Sequence, residues 1–310
     1  MPRLIDDLRA TGAKVEKPWF VPAHKFDEWK RIARCIRDSL IQADLPVLLI
    51  DNVAEYFYTS DQEFWDLKTD FPNLAPPYPT FWAEHKMVKK IHSKECGDSD
   101  LGALVPNGRI GMLIHAMDPA DCKGDNIPAN AKWILWCELF IDYGMRGITA
   151  QGPHGSVFLC VDAEGAIIDR PWMQTLTDSA NSEVNEVMKG YMTWFNPGFL
   201  AVSFLHCKNV SVIDNEVPKA LAKKYRTRTG VQPCRYKTLV IEPLKQILRT
   251  TGRSGSVGLA KAMHICRGHF KDYREGRGLF GKYHQLVWQP SIVRGSKGEK
   301  PPAREVEVKV

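Results

Sequence analysis

Hydrophobic positions along this chain recur with two different periods. In FDEWKRIARCIRDSLIQA (26–43), Phe26, Trp29, Ile32, Ala33, Ile36 and Leu40 fall at helical spacing, and the opposite face is charged. Asp27 and Glu28 come early in that segment, where the helix dipole favours acids. SANSEVNEVMKGYMTWF (179–195) predicts a second helix with a Ser or Asn cap and acids in its first turn. Asn196-Pro197-Gly198 predicts a break after it, with apolar GFLAVSFLHC (198–207) as a further helix.

Short apolar runs predict strands at LPVLLIDNV (45–53), TFWAEHKM (80–87), RIGMLIHAM (109–117), KWILWCELFIDY (132–143) and GSVFLCVDAEGAIID (155–169). DAEG inside the last is a hairpin-turn signal. KNVSVIDNEV (208–217) and YKTLVIEPL (236–244) predict two more strands, and AMHICRGHFKDY (262–273) and KYHQLVW (282–288) a basic pair joined by REGRGLFG. Residues 1–25, with Gly12 and three prolines, predict an irregular arm. Prolines 72, 76, 77 and 79 exclude a long helix there, and 93–108 predicts a polar loop. TTGRSGSVGLA (250–260) predicts a mobile loop, and the tail from Ser296 a frayed end. The pattern predicts an α+β fold. A central, mostly antiparallel sheet carries flanking helices, and a basic, β-rich module forms the C-terminal end.

Charge sharpens that division. The 310 residues carry a net charge of +6, but residues 201–310 hold 22 Lys+Arg against 8 Asp+Glu. Two parts are therefore expected, an acidic body at 1–200 and a basic module at 201–310. A basic end on an acidic body points to a polyanionic partner, or to a basic face docked on the protein's own acidic half. Charged content of 25% and hydrophobic content of 44% are those of a globular chain able to bury a core. The start shows no apolar targeting segment, and WILWCELFI (133–141) falls short of the ~20 residues that span a bilayer. A cytoplasmic protein with no membrane partner is the expectation. The eight cysteines are scattered without a CxxC pair, which predicts buried, reduced thiols.

Candidate chemistry concentrates in HICRGHFKDYREGRGLFGKYH (264–284). Alternation on a straight strand puts Arg267 and His269 on one face and His264 on the other, unless Gly268 hosts a bulge. Arginine forks phosphate oxygens and histidine moves protons near neutral pH. Lys282, His284 and Tyr273 are candidates to join them across the hairpin. This is the inventory of a metal-independent ribonuclease. His269 or His264 would be the general base, and the other or His284 the acid. Arg267 and Lys282 would stabilise phosphate, with Tyr273 in support. The same residues also suit phosphate binding without turnover, or a plain structural hairpin.

Candidate nucleic-acid contacts are Lys223, Lys224, Arg226, Arg228, Arg253, Lys271, Arg274, Arg277 and Arg294, with Trp288 as a stacking surface. His264, Cys266, His269 and His284 have ligand chemistry but not a zinc-site spacing, so no metal is expected. Gly252, Gly255 and Gly258 lack the phosphate-loop GK[ST], so no cofactor is expected either. Glu84, His85, His115 and Glu138, polar positions on apolar strands, form a second candidate cluster, although such groups are commonly satisfied core residues.

H-x-x-RGHF, followed by LFG-K, W and RG, resembles the C-terminal end of a family of uncharacterised proteins from bacteria, prophages and plasmids. FLHCKNV and YKTLVIEP share the resemblance, which covers at least residues 204–295, and APPYPTFWAEH is similar to it as well. The family carries no named activity. Its home on mobile elements implies toxins, phage-defence effectors or nucleic-acid regulators. Three functions are therefore expected candidates. The first is an effector acting on RNA or DNA, as a toxin-type metal-independent ribonuclease. The second is a non-catalytic nucleic-acid-binding regulator, and the third a protein-interaction module with a partner such as an antitoxin. Group transfer from a nucleotide such as NAD would rest on the Gly-rich loop and the Arg267/His269 pair.

Overall fold

The computed structural model describes residues 3–10, 27, 30–31, 38–40, 45–59, 66, 68–86, 108–122, 127–142, 156–168, 172–174, 184–241, 264–266, 269–276, 278, 284–289 and 292–294. The chain divides into two compact units. One comprises residues 1–202 and 214–238, the other 203–213 and 239–310. Helices and a large mixed sheet make the fold α+β.

The sheet has eight strands in the order β6-β5-β4-β3-β2-β1-β8-β7. They are β1 (Val47–Leu49), β2 (Thr80–Lys86), β3 (Arg109–Met117), β4 (Trp133–Asp142), β5 (Ser156–Val161), β6 (Trp172–Gln174), β7 (Val210–Asn215) and β8 (Tyr236–Ile241). Strands β2 to β6 form an antiparallel run. β1 is parallel to both of its neighbours, β2 and β8. The unit division falls inside β7 and β8. DAEG makes the expected turn after β5, with Asp162 Oδ1 accepting the Glu164 and Ala166 amides and Gly165 at a φ of 88°.

β3, β4 and β5 are buried along most of their length, which is why they read as continuous apolar runs. One face carries Phe81, Ala83, Ile110, Met112, Ile114, Leu135, Cys137, Leu139, Val157 and Leu159, all buried. Gly198 of helix α3 (Val184–Leu205; α1 and α2 are described below) lies on Met112: a Cβ there would sit 1.6 Å from Met112 Cε. α3 runs through Pro197, so the predicted break does not occur. Proline removes one helical hydrogen bond, costing about 3 kcal/mol. Here Phe195, Phe199, Leu200, Ala201 and Val202 are all buried around it, and the glycine serves close packing.

The opposite face is closed by the N-terminal segment. Leu4–Ala10 forms helix α1 where an irregular arm is expected. Leu4, Ile5 and Leu8 pack with Leu40, Val47, Trp82, Leu113 and Phe140. Residues 11–25 of the expected arm lie outside the described residues. The expected strand at 45–53 is shorter, because Asp51–Thr59 forms helix α2, with Asp51 Oδ1 accepting the Lys86 amide at 2.7 Å. In the helix expected over 26–43, residues 27, 30–31 and 38–40 are helical, and the others are outside the description.

Helix α4 (Lys219–Thr229) follows Pro218 and ends at Gly230, whose φ is 76° and whose amide bonds Arg226 O. Charge grouped this helix with the C-terminal half, but it clusters with the first unit. Tyr225 Oη donates to Asp6 O at 2.7 Å, which docks α4 against α1. Cys122, Cys137, Cys160, Cys207 and Cys234 are free thiols.

The second unit contains two short ladders. β9 (His264–Cys266) pairs with β12 (Ile292–Arg294), and β10 (His269–Asp272) with β11 (Leu286–Gln289), both antiparallel. Cys266 pairs with Ile292 and His269 with Gln289, so two residues separate the ladders on each strand. Trp288, Phe204 and Phe270 form an aromatic core with ring centroids 4.7 to 5.4 Å apart. Asn209 clamps the Trp288 backbone, donating to its carbonyl at 2.9 Å and accepting from its amide at 3.0 Å.

Gly111 lies directly against the Trp82 indole on the α1 side of the sheet. A Cβ there would sit 2.0 Å from Trp82 Cζ2. The rigid indole has no room to retreat. Gly111→Ala is expected to destabilise the protein by roughly 1–3 kcal/mol through overpacking. Urea denaturation at equilibrium measures this, and an unchanged midpoint would contradict the packing.

Candidate functional site

The α1-covered face of the sheet holds far more polar chemistry than its opposite. Register sorts it into rows that run across the strands. Glu84 stands level with Gly111 and Phe140; Trp82 with Leu113, Glu138 and Ser156; Thr80 with His115, Trp136 and Phe158.

The Glu84 row is structural. Its fully buried carboxylate accepts from the Leu4 amide at 2.8 Å, the Ile5 amide at 3.1 Å and Trp82 Nε1 at 2.9 Å, and from Arg109 Nε. Helix N-terminal amides lack intrahelical partners, and a buried carboxylate needs several donors. Each satisfies the other. Asp6 plays a companion role: Oδ1 accepts the Cys234 amide at 2.8 Å, and Oδ2 is paired with Arg3. Asp7 is pushed up to about 6, first by burial and then by the Asp6 and Asp142 charges.

The next two rows differ in character. Glu138 is fully buried. Its Oε1 accepts from Trp136 Nε1 at 2.6 Å and from Ser156 Oγ, while Oε2 has no hydrogen-bond partner among the described residues. Burial raises this carboxyl to about 8, against the lowering effect of its two donors. It is therefore a neutral acid at pH 7. His115 sits diagonally across from it, with Nδ1 at 3.1 Å from Thr80 Oγ1. Burial pushes this imidazole down to about 4, so it too is neutral. His115 and Trp136 have ring centroids 5.2 Å apart, and Trp136 and Phe158 lie 6.2 Å apart with planes 6° from parallel. Among the polar groups flagged from sequence, Glu138 and His115 thus occupy adjacent rows of one face of the sheet. Glu84 belongs to the α1 anchor, and His85 bonds Lys86 O at 2.8 Å and faces Tyr58.

The C-terminal hairpin assembles less than its sequence suggests. His269 is exposed at the start of β10, opposite Gln289. His284 is exposed two residues before β11, beyond the Asp272–Leu286 end of the ladder, whereas His269 stands at the opposite end, and the ladder between them alone spans about 10 Å at ~3.4 Å per residue. These two cannot serve as a base and acid on one phosphate. His264 lies in the other ladder, opposite Arg294; the side chains of both are outside the description. Tyr273 is half-buried, its amide bonded to Gln285 O. Arg267 and Lys282 lie outside the described residues.

Among the proposed nucleic-acid contacts, Trp288 is corrected. It is 3% exposed in the aromatic core and has no face to offer a base. Arg274 is exposed but bound to both carboxylate oxygens of Asp272. Lys271 is half-buried. Arg253 and Arg277 lie outside the described residues. Lys223, Lys224, Arg226 and Arg228 are all exposed on α4, joined by Lys219. Among the described residues, no group of three or more His, Cys, Asp or Glu side chains forms a metal site. No helix is long and apolar enough to cross a membrane, again among the described residues.

Comparison with known proteins finds no matching family model, no matching curated protein and no matching solved structure.

The raised Glu138 carboxyl has a stability signature. The folded state holds a proton that the unfolded chain releases above about 4.5, so its contribution is full below that pH and is lost as pH rises through about 8. Asp7 loses its contribution in the same direction by about 6. His115 acts oppositely, losing stability as pH falls from 6.5 toward 4. Between pH 6.5 and 9, Glu138 is the one of these three still titrating. Wild type is expected to lose stability across that window, and Glu138→Gln to lose less. Thermal melts of both proteins at several pH values check this; parallel curves would contradict a neutral Glu138.

Proposed function

We propose that this protein binds nucleic acid, gripping the phosphate backbone with helix α4. The supporting observation is a single helix with five exposed cations, Lys219, Lys223, Lys224, Arg226 and Arg228, in eleven residues that contain no acid. None of the five is held in an ion pair among the described residues. Ala222 is buried and Tyr225 half-buried, so this side seats the helix while the charges face water. Arg228 lies 5.5 Å over the Tyr225 ring, which holds its guanidinium against the helix surface.

Polyanion binding needs this arrangement and little more. Clustered Lys and Arg displace the counterions condensed on a phosphate chain, and the released ions drive association. Cleavage is not part of the proposal, because His269 and His284 are far apart on the hairpin. The basic excess of residues 201–310 supports the same reading.

The test is salt dependence. Binding of wild type and of the triple variant Lys223→Ala/Lys224→Ala/Arg226→Ala to a single-stranded oligonucleotide is measured over a range of salt concentrations. Three lost phosphate contacts should reduce the slope of log affinity against log salt by about 2. An unchanged slope would remove α4 from the interface. A wild type that fails to bind DNA or RNA at low salt would overturn the reading.

A further inference from the structure

Among the described residues, the two edges of the eight-stranded sheet are built differently. β6, at one end, is three residues long. A very short edge strand is one of the devices that keep a sheet from pairing with another chain. β7, at the other end, runs for six residues, VSVIDN, an ordinary strand length. Three of the six are β-branched valine or isoleucine, and the strand has no proline, glycine or lysine to blunt it. Ser211, Val212, Ile213 and Asp214 are all exposed. Neighbouring residues on a strand point to opposite faces, so β7 is open on both. Val212 is 40% exposed and Ile213 48%, whereas β3, β4 and β5 bury most of their apolar side chains.

We propose that β7 is a dimerisation edge, along which a second copy of this chain pairs antiparallel about a two-fold axis at Val212. The two sheets would then run on as one. This goes beyond the nucleic-acid reading and does not depend on it.

Charge complementarity identifies the partner. The segment KNVSVIDNE (208–216) has its cation at one end and its acids at the other. Antiparallel pairing about Val212 brings Lys208 of each copy beside Glu216 of the other, so two opposite-charge pairs bracket the ladder. Val212 meets its counterpart on the axis, with Val210 of each copy on the same face, and Ser211 meets Ile213. Asp214 falls opposite Val210, but its carboxylate is already held by Lys237. Lys208 and Glu216 are both exposed. Glu216 lies 3.1 Å from Arg235, and with its side chain 67% exposed it can meet a second cation. Parallel pairing in register would instead oppose Lys208 to Lys208 and Asp214 to Asp214, which like charges disfavour. A self-complementary patch related by a two-fold axis is the geometry of an isologous dimer.

The test measures the mass of the full chain by analytical ultracentrifugation, without nucleic acid, from micromolar to millimolar concentration. A concentration-dependent dimer is expected. Val212→Lys places two like charges together on the axis and should weaken the dimer by roughly tenfold. Val212 is exposed, so the melting temperature of the monomer should stay close to that of wild type. Two further variants test the register. Lys208→Glu and Glu216→Lys should each dimerise more weakly than wild type. An equimolar mixture of the two should form a mixed dimer, because both charge pairs are then opposite again. Should Val212→Lys fail to fold, this pair carries the test. A wild type that stays monomeric over the whole range would leave the edge to an extended segment of another protein and overturn the proposal. A dimer indifferent to Val212→Lys in a folded protein would place the interface elsewhere and overturn it too. A mixture of the charge variants no more dimeric than either alone would overturn the antiparallel pairing about Val212.

Discussion

The carboxylate of Glu84 is the interaction on which the α1 side of the sheet depends. It lies inside a strand, fully buried, and is satisfied by groups from three separate stretches of chain: the first amides of α1, the indole of Trp82 and the guanidinium of Arg109. A buried carboxylate stripped of such donors is strongly destabilising, by about 3–5 kcal/mol when a partner is lost. The seven-residue helix α1 is far too short to be stable alone. Its position is set by Glu84, and its apolar side then closes the face over Leu113 and Phe140. Gly111 completes the arrangement by leaving the space that the Trp82 indole crosses on its way to the carboxylate.

That closure is what makes one row distinctive. Trp82, Leu113, Glu138 and Ser156 are buried, whereas Thr80, His115, Trp136 and Phe158 in the next row are half-open. A carboxyl kept neutral by burial and an imidazole kept neutral by burial stand at this boundary. Both are set by the dielectric of the sheet interior rather than by charged partners, so the site is polar without being charged. Charge is carried elsewhere in the same unit, on α4, whose Tyr225 is bonded to α1. The anchor, the aromatic row and the basic helix are thus successive consequences of how the N-terminal segment is held.

Much of the sheet was legible from the chain. RIGMLIHAM, KWILWCELFIDY and TFWAEHKM became β3, β4 and β2 because strands buried on both faces read as apolar runs. α1 was not legible, because the donor–acceptor set that forms it joins residues about eighty positions apart. Pro197 misled for a related reason: local chemistry argued for a break, and burial of the surrounding phenylalanines decided otherwise. The hairpin was expected as two strands, 262–273 and 282–288, where four short strands form two ladders, and His269 and His284 looked convergent because sequence proximity was read as spatial proximity. The length of the β10–β11 ladder separates His269 from His284, a distance no proton transfer spans. Trp288 looked like a stacking surface beside basic residues, yet its partners Phe204 and Phe270 claim both it and the unit's core. Glu138 and His115 were visible as polar residues on apolar strands. Their meaning needed the register, which no periodicity supplies.

Amide hydrogen exchange at Leu4 and Ile5 tests the central claim most directly. If Glu84 holds the start of α1 as the structure describes, these two amides exchange only through opening of the sheet. Their protection should match that of the amides of β3 and β4. Exchange at the rate of an exposed chain, with β3 and β4 still protected, would show that α1 is not anchored by Glu84 and would contradict this account of the sheet's polar face.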